Sequence, residues 1–292
     1  MKILITGASG FIGKHLCQKL HYLGHEISVI KRIDSKTESI KSFIQKEWIL
    51  EEINYDLNKV FFSQSYDAVI HLATQFQADH QYADIKNLIE ANYTFGLNLV
   101  DAMTKNNCFK LINFSSSWQE YSQADKSPVN LYASIKKAFA VTLDFYQSVH
   151  NLNVLHLRIY DTYGPADQRR KIIPILVKAF KDKSPIDLSP GDQLLDLVHV
   201  EDICAGVMVA LKGNYPSGSE YALATLEPKS LKSIAHKFEI LCDSKNLLNF
   251  GGRPYRNREV MQPTYPVPQL PGWKPQIPLE EGLKSILGSY AN

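Results

Sequence analysis

The chain has 292 residues, 45% hydrophobic and 21% charged, enough apolar material for one large domain, alone or with a smaller lobe. Its formal net charge of +2 arises from 32 basic and 30 acidic residues spread along the whole length, which argues against a charged surface for nucleic acid or membrane. No apolar run approaches membrane-spanning length, the first residues already read as a core strand rather than a signal peptide, and the four dispersed cysteines lack metal-ligand spacing, so a reduced, cytoplasmic protein is expected.

Residues 2–5 form a short apolar strand that runs into Thr6-Gly7-Ala8-Ser9-Gly10-Phe11-Ile12-Gly13 and an amphipathic helix to about Leu23. Glycines at a strand-to-helix turn have separate tasks. Gly7 permits the tight turn, Gly10 lets a pyrophosphate approach the backbone, and Gly13 lets the helix lie close on its strand. An anion is then held at the helix start around Phe11 and Ile12, where free N–H groups and the dipole favour it. Gly24-His25 ends the helix and residues 27–30 form the second strand, whose end selects the cofactor. An acid there bonds the ribose hydroxyls of NAD, whereas a basic residue accommodates the 2′-phosphate of NADP. Lys31 and Arg32 occupy that end, which reads as NADP(H); Asp34, later in the loop, leaves NAD(H) open.

A third strand is expected over residues 47–53, leading to Asp56 and Leu57, where Asp56 is either an acceptor for the adenine amino group or part of a surface turn. Residues 68–73 read as a buried strand whose end, Leu72 and Ala73 followed by Thr74, lies beside the cofactor. His71 within it reads as a core residue rather than a catalyst. A helix over residues 83–105 contains Asn92 and Gly96; a strand over 110–114 ends in Ser115-Ser116-Ser117. The next helix, 130–149, places Tyr132 and Lys136 four apart, on one face. A phenol with a pKa of about 10 exchanges protons poorly near neutrality. A lysine ammonium one turn away is expected to lower that value and let the hydroxyl serve a carbonyl or alcohol.

Together these residues resemble the extended short-chain dehydrogenases/reductases that act on nucleotide sugars. The resemblance rests on the glycine turn, His71-Leu72-Ala73, Asn92 with Gly96, Ser117, and the Tyr132/Lys136 pair. It continues through Tyr163-Gly164-Pro165, Asp196-Leu197-Val198-His199-Val200-Glu201-Asp202, Gly272-Trp273-Lys274-Pro275 and Leu279-Glu280-Glu281-Gly282-Leu283, so it spans essentially the whole chain. It implies a catalytic Ser117, Tyr132 and Lys136, with Lys136 also holding the nicotinamide ribose, Asn92 at the cofactor, and a homodimer joined through the helices carrying Asn92 and Tyr132. Ser117 is preferred to Ser116 because the family's hydroxyl lies four before a tyrosine, here Tyr121. The fold expected is α/β, a doubly wound parallel Rossmann sheet of six strands to about residue 165, rejoined by residues 195–212. Residues 166–194 and 213–292 would form a substrate-binding lobe.

A narrower resemblance lies in Ser117-Trp118-Gln119-Glu120-Tyr121, Asn130-Leu131-Tyr132-Ala133 and residues 161–171. These are similar to the 4-ketosugar reductases that finish CDP-3,6-dideoxyhexoses, the CDP-abequose and CDP-paratose synthases, and imply NADPH-dependent reduction of the C4 keto group of a CDP-linked deoxysugar. Thr74 and Trp118 would then line the sugar site. Leu195 stands where many relatives carry the arginine that holds the nucleotide diphosphate, and Asp161 where they carry Asn. Asp161 is expected to bond a sugar hydroxyl or Arg158. The clamp falls either to Arg169, Arg170 and Lys171 or to Arg253, Arg256 and Arg258, with Arg253 preferred to Arg169. The alternatives are an NAD-dependent nucleotide-sugar 4-epimerase and a non-catalytic NADP-sensing protein. A dehydratase is disfavoured because Trp118 and Gln119 stand where its acid/base pair belongs.

Overall fold

A computed structural model describes residues 1–289. Its first part alternates strands and helices: β1 (Lys2–Thr6), α1 (Phe11–Tyr22), β2 (Glu26–Lys31), β3 (Lys46–Ile49), α2 (Asn58–Ser63), β4 (Ala68–His71), α3 (Ile85–Ile89), α4 (Phe95–Lys105), β5 (Lys110–Ser116), α5 (Leu131–His150) and β6 (Asn153–Ile159). There follow β7 (Asp161–Tyr163), α6 (Ile172–Lys181), β8 (Ile186–Leu188), β9 (Leu194–Leu195), β10 (Leu197–His199), α7 (Val200–Lys212), β11 (Glu220–Leu223), β12 (Lys229–Ser230), α8 (Leu231–Leu241), β13 (Leu248–Phe250) and α9 (Leu279–Ser289).

Seven strands pair in parallel in the order β11-β6-β5-β4-β1-β2-β3. The winding direction reverses between β1 and β4, which opens a crevice at their carboxyl ends. Every residue of β4, and all of β1 after Lys2, is buried, as a sheet covered on both faces requires. One cover is α1 with α7, through Leu16, Cys17 and Leu20 against Ile203, Cys204 and Val207. The other is α4 with α5, through Leu99, Val100 and Met103 against Phe139, Leu143 and Tyr146. A separate core of Leu176, Phe180, Ile234, Phe238 and Leu283 joins α6, α8 and α9. Among the described residues no helix is long and apolar enough to cross a membrane.

Four expectations are corrected. The sheet has seven strands, because β11, inside the segment assigned to the lobe, pairs with β6; with four residues it is too short to stand out by pattern. Within 195–212, β10 pairs with β7 outside the main sheet, and it is α7 that returns to pack on the Rossmann face. The third strand stops at Ile49, after which Asn54 and Tyr55 take left-handed φ values of 54° and 56° in a turn. The helix expected over 83–105 is also not regular, since a π turn, Glu90–Thr94, separates α3 from α4.

Two buried carboxylates bind the carboxyl-terminal segment to this frame. Asp196 accepts from the Thr225 N–H and hydroxyl (2.8 Å each), the Leu226 N–H (2.9 Å) and the Tyr265 hydroxyl (2.8 Å). Asp202, in the first turn of α7, accepts from the N–H groups of Gln276 and Ile277 (3.0 Å each), while the Trp273 indole donates to its backbone carbonyl (2.8 Å). Motifs some seventy residues apart are thus one unit. Asp196→Ala leaves four donors without their acceptor, so a loss of ~3 kcal/mol or more is expected. Thermal unfolding checks it, and an unchanged melting temperature would refute the assignment.

Candidate active site

The glycine turn sits where β1 meets β4. Gly7 has φ +74°, and a Cβ built on it would lie 2.6 Å from the Ala73 nitrogen; one on Gly13 would lie 2.3 Å from the Gly7 oxygen. Gly10 is different, because a Cβ there meets nothing nearer than the Gly7 oxygen at 3.1 Å and the residue is exposed. Its open side leaves room for a ligand. Helix α1 starts at Phe11 with no side-chain cap and no acidic residue in its first turn. The N–H groups there lack intrahelical partners and retain their positive potential, so the turn fits a dinucleotide diphosphate.

The Thr6 hydroxyl bonds the His71 Nδ1 at 2.8 Å and accepts from the Ala73 N–H at 3.2 Å, tying the exit of β4 to β1. His71 is 1% exposed, and burial, with Lys136 adding repulsion, pushes its pKa down to about 3. It is a neutral core residue. At the end of β2, Lys31 turns away from the crevice: its ammonium donates to the Thr37 hydroxyl (2.9 Å) and pairs with Glu47 (3.6 Å), which β3 brings alongside. Arg32 and Asp34 face solvent and pair with each other at 3.4 Å. Of the two basic residues, Arg32 is the one whose guanidinium stays exposed to solvent. Asp56 accepts from the Asn58 N–H and amide (3.1 Å each), the surface turn of its two readings, and Leu57 is buried in the core.

On the other side of the crevice, Asn130 caps α5 by accepting from the Ala133 N–H (3.0 Å), and its amide donates to the carbonyls of Gln77 and Ala78 (3.2 and 2.9 Å). The cap therefore fixes the start of α5 against the loop after β4. Tyr132 and Lys136 follow, both buried. The three serines diverge in use. Ser115 bonds the Glu220 carboxylate, Ser116 accepts from the Trp118 N–H (3.3 Å), and the Ser117 hydroxyl has no hydrogen bond among the described residues. The Val129 N–H donates to the Trp118 carbonyl (2.9 Å), tying the serine turn to the segment leading into α5. Phe76 stands between the two, its ring centroid 5.4 Å from Trp118 and 5.2 Å from Tyr132.

Asn92, expected to touch the cofactor, is 2% exposed and saturated by the protein. Its carbonyl accepts from the Thr74 hydroxyl (2.6 Å) and Gln75 N–H (3.0 Å), and its amide donates to the carbonyls of Gln75 and Leu88 (3.0 Å each). Four bonds exhaust an amide side chain, so Asn92 is a positioning residue. The π turn containing it supplies the reach. Thr74, expected at the sugar, links Asn92 to Tyr132, with which it also hydrogen-bonds.

Lys136 does not lower Tyr132 as the sequence led us to expect. Burial holds the phenol above its ordinary value against an opposing hydrogen bond with Thr74, while burial pushes Lys136 down to about 8. Both groups sit in the same desolvated pocket, and removal from water disfavours each charged form. Tyr132 consequently rests as a neutral acid.

The cations divide by how fully they are paired. Arg169 makes two bonds to Asp167 (2.8 and 2.7 Å) and one to the Thr162 carbonyl (2.6 Å), with its guanidinium 4.3 Å over Phe11. Arg258 is held by Asp125 (3.1 Å) and Ser127 (2.8 Å). Lys171 lies 4.0 Å over the Phe76 ring and 5.3 Å over Trp118, with Asp161 only at 3.9 Å; Arg256 lies 5.5 Å over Trp118, with Glu259 at 3.8 Å. Short charge-assisted bonds consume a charge and loose pairs do not, so Lys171 and Arg256 remain available to an anion. Arg253, the residue preferred from the sequence, is exposed and carries no ion pair among the described residues, so its charge is also unspent. Asp161 faces Lys171 rather than Arg158, which is held by Glu220 at 3.0 and 2.8 Å. Phe76 was missed altogether. Its only signal was an aromatic residue within the polar loop Thr74-Gln75-Phe76-Gln77.

An uncapped glycine-rich helix start and a buried Tyr-Lys pair thus face each other across the switch point, the arrangement of a nicotinamide-dependent oxidoreductase of the short-chain type. Residues 3–224 match the NAD dependent epimerase/dehydratase family, and the chain belongs to it. CDP-abequose synthase of Yersinia pseudotuberculosis is 31% identical over 91% of this chain and 92% of its own. UDP-glucose 4-epimerase of Thermotoga maritima, solved with UDP-glucose, superposes with a TM-score of 0.89 at 20% identity, covering 100% of this chain and 99% of its own. UDP-glucuronic acid 4-epimerase of Bacillus cereus, solved with UDP-glucuronic acid and NAD, gives 0.87 at 24% identity with coverage of 100% and 99%.

The lowered lysine makes a stability prediction. Folded Lys136 titrates near 8 against 10.5 unfolded, so below pH 8 folding carries the cost of a buried ammonium, which is relieved between pH 8 and 10.5. Lys136→Met should therefore melt above the wild type at pH 7, the gap closing toward pH 10.5, while turnover is lost. Melting curves across that range check the sign.

Proposed function

We propose that the protein is an NADPH-dependent reductase of the C4 keto group of a nucleotide-linked 4-keto-deoxyhexose, with CDP as the favoured carrier. The observation that carries this reading is Tyr132 held as a neutral acid beside Lys136, with Ser117 the one serine of its cluster whose hydroxyl is uncommitted. Nucleotide-sugar chemistry is supported by the family and by relatives acting on CDP- and UDP-sugars. When bound, the nicotinamide supplies the hydride. Tyr132 donates its proton to the C4 oxygen, Ser117 donates a hydrogen bond to the same oxygen, and Lys136 stabilises the phenolate that remains. These donors act on charge that develops only as the carbonyl is reduced. Lys171 and Arg256 would hold the diphosphate, and Arg32 the 2′-phosphate. The positions a dehydratase needs are spent otherwise: Trp118 packs on Phe76, and Gln119 accepts from the Ser116 N–H at 2.9 Å.

The test is NADPH consumption with 4-keto-6-deoxy sugars on CDP, dTDP, GDP and UDP, repeated with NADH. Turnover with one carrier and preference for NADPH are expected. Tyr132→Phe should reduce kcat by a factor of roughly 10² to 10⁴, the usual contribution of a positioned acid, and Arg32→Ala should narrow the cofactor preference. No oxidation with any carrier, combined with NAD that co-purifies, would replace this reading with the 4-epimerase.

A homodimer belongs to the same proposal. Val141, Phe145 and Val149 of α5 are 64%, 52% and 57% exposed and four residues apart, and Ile89 of α3 is 42% exposed. One stripe of this kind favours a helical partner of the same shape. Phe145→Glu should convert a dimer to a monomer in sedimentation velocity; a monomeric wild type would defeat the idea.

A further inference from the structure

The loop from Asp161 to Lys171 is fastened to the start of α1 at two points. Its Pro165 carbonyl accepts from the His15 Nε2 at 3.1 Å, and the Arg169 guanidinium lies 4.3 Å over the ring of Phe11, the first residue of α1. The Phe11 N–H is among those that lack an intrahelical partner, so Arg169 stands at the same helix start as the glycine turn. Its charge and its donors have to be counted separately. Asp167, 3% exposed, spends the charge, but an arginine carries five N–H groups and only three are used here. Nε donates to Asp167, and Nη2 donates to Asp167 and to the Thr162 carbonyl. Both N–H groups of Nη1 have no partner among the described residues, and the side chain is 35% exposed.

Two residues on, Lys171 has the opposite character. Its N–H donates to the Arg169 carbonyl (2.8 Å), while its ammonium rests 4.0 Å over Phe76 with only Asp161 at 3.9 Å for a partner. One loop therefore presents a neutralised, rigidly held fork at the start of α1 and a loosely paired charge beside Tyr132. A diphosphate at the helix start already has the dipole to answer its charge, and a directed donor pair adds geometry to that attraction. We infer that Arg169 is a cofactor residue, which donates from Nη1 to the dinucleotide diphosphate and not to the nucleotide sugar. This rests on the dinucleotide reading of the glycine turn and is independent of which sugar is reduced.

The test is calorimetric titration of the purified protein with NADPH, NADH and CDP, comparing the wild type with Arg169→Gln, Arg169→Lys and Phe11→Leu. Arg169→Gln should raise Kd for NADPH and NADH by one common factor of about 10 and leave CDP within about two-fold. Arg169→Lys should do nearly the same, because an ammonium cannot replace the planar fork. Phe11→Leu removes the platform but no donor, so it should weaken both coenzymes by a smaller common factor; it carries the test where the arginine variants do not fold. An altered NADPH to NADH ratio would assign Arg169 to the 2′-phosphate, and weakening of CDP alone would assign it to the substrate. Either result overturns the inference, as does equal weakening of all three ligands, the mark of a damaged loop, or no change in any. A wild type that binds neither coenzyme overturns the dinucleotide reading and the inference with it.

Discussion

The close approach of two backbones, the glycine turn after β1 and the exit of β4, governs everything else in the crevice. Any side chain at Gly7 would intrude to 2.6 Å on the Ala73 nitrogen, and the Thr6 hydroxyl draws the same residue in by accepting its N–H. Packed interiors transmit such displacements rather than absorb them. From Ala73 the chain passes directly to Thr74, whose hydroxyl joins Asn92 to Tyr132, and then to Phe76 against the tyrosine ring. The contact that shapes the glycine turn therefore also sets the position of Tyr132.

Desolvation supplies the chemistry. The pocket around Tyr132 is dry enough to keep the phenol protonated and His71 neutral, leaving Lys136 as a buried cation whose own charge is weakened. Toward the substrate side the balance differs. There Lys171 and Arg256 retain loose partners at 3.9 and 3.8 Å and rest on aromatic faces, which hold a cation in place without neutralising it. A neutral acid on one side and loosely paired cations on the other suit an anionic substrate with a reducible carbonyl.

The parts of the site that were legible beforehand are those whose chemistry is local. The glycine spacing, the four-residue separation of Tyr132 and Lys136, and the core role of His71 each follow from one turn of helix or one strand. Side-chain commitments were not legible. Lys31 looked like a phosphate ligand until β3 placed Glu47 beside it, and Asn92 looked like a cofactor contact until the π turn brought it to Thr74 and Gln75. Arg253 and Arg256 are indistinguishable as letters, yet only Arg256 reaches Trp118.

The sequence by itself determined the alternation of strand and helix, the glycine turn and the helix face shared by Tyr132 and Lys136, because periodicity and glycine sterics act over a few residues. Only the tertiary structure decided which charges are spent and which are free, since pairing depends on neighbours tens to hundreds of residues away. It also decided that β11 completes the sheet, because a four-residue strand acquires its identity from the edge of β6 it joins. The state of Tyr132 was decided at the same level, as burial is a property of the assembled layers and outweighs the lysine one turn along its own helix.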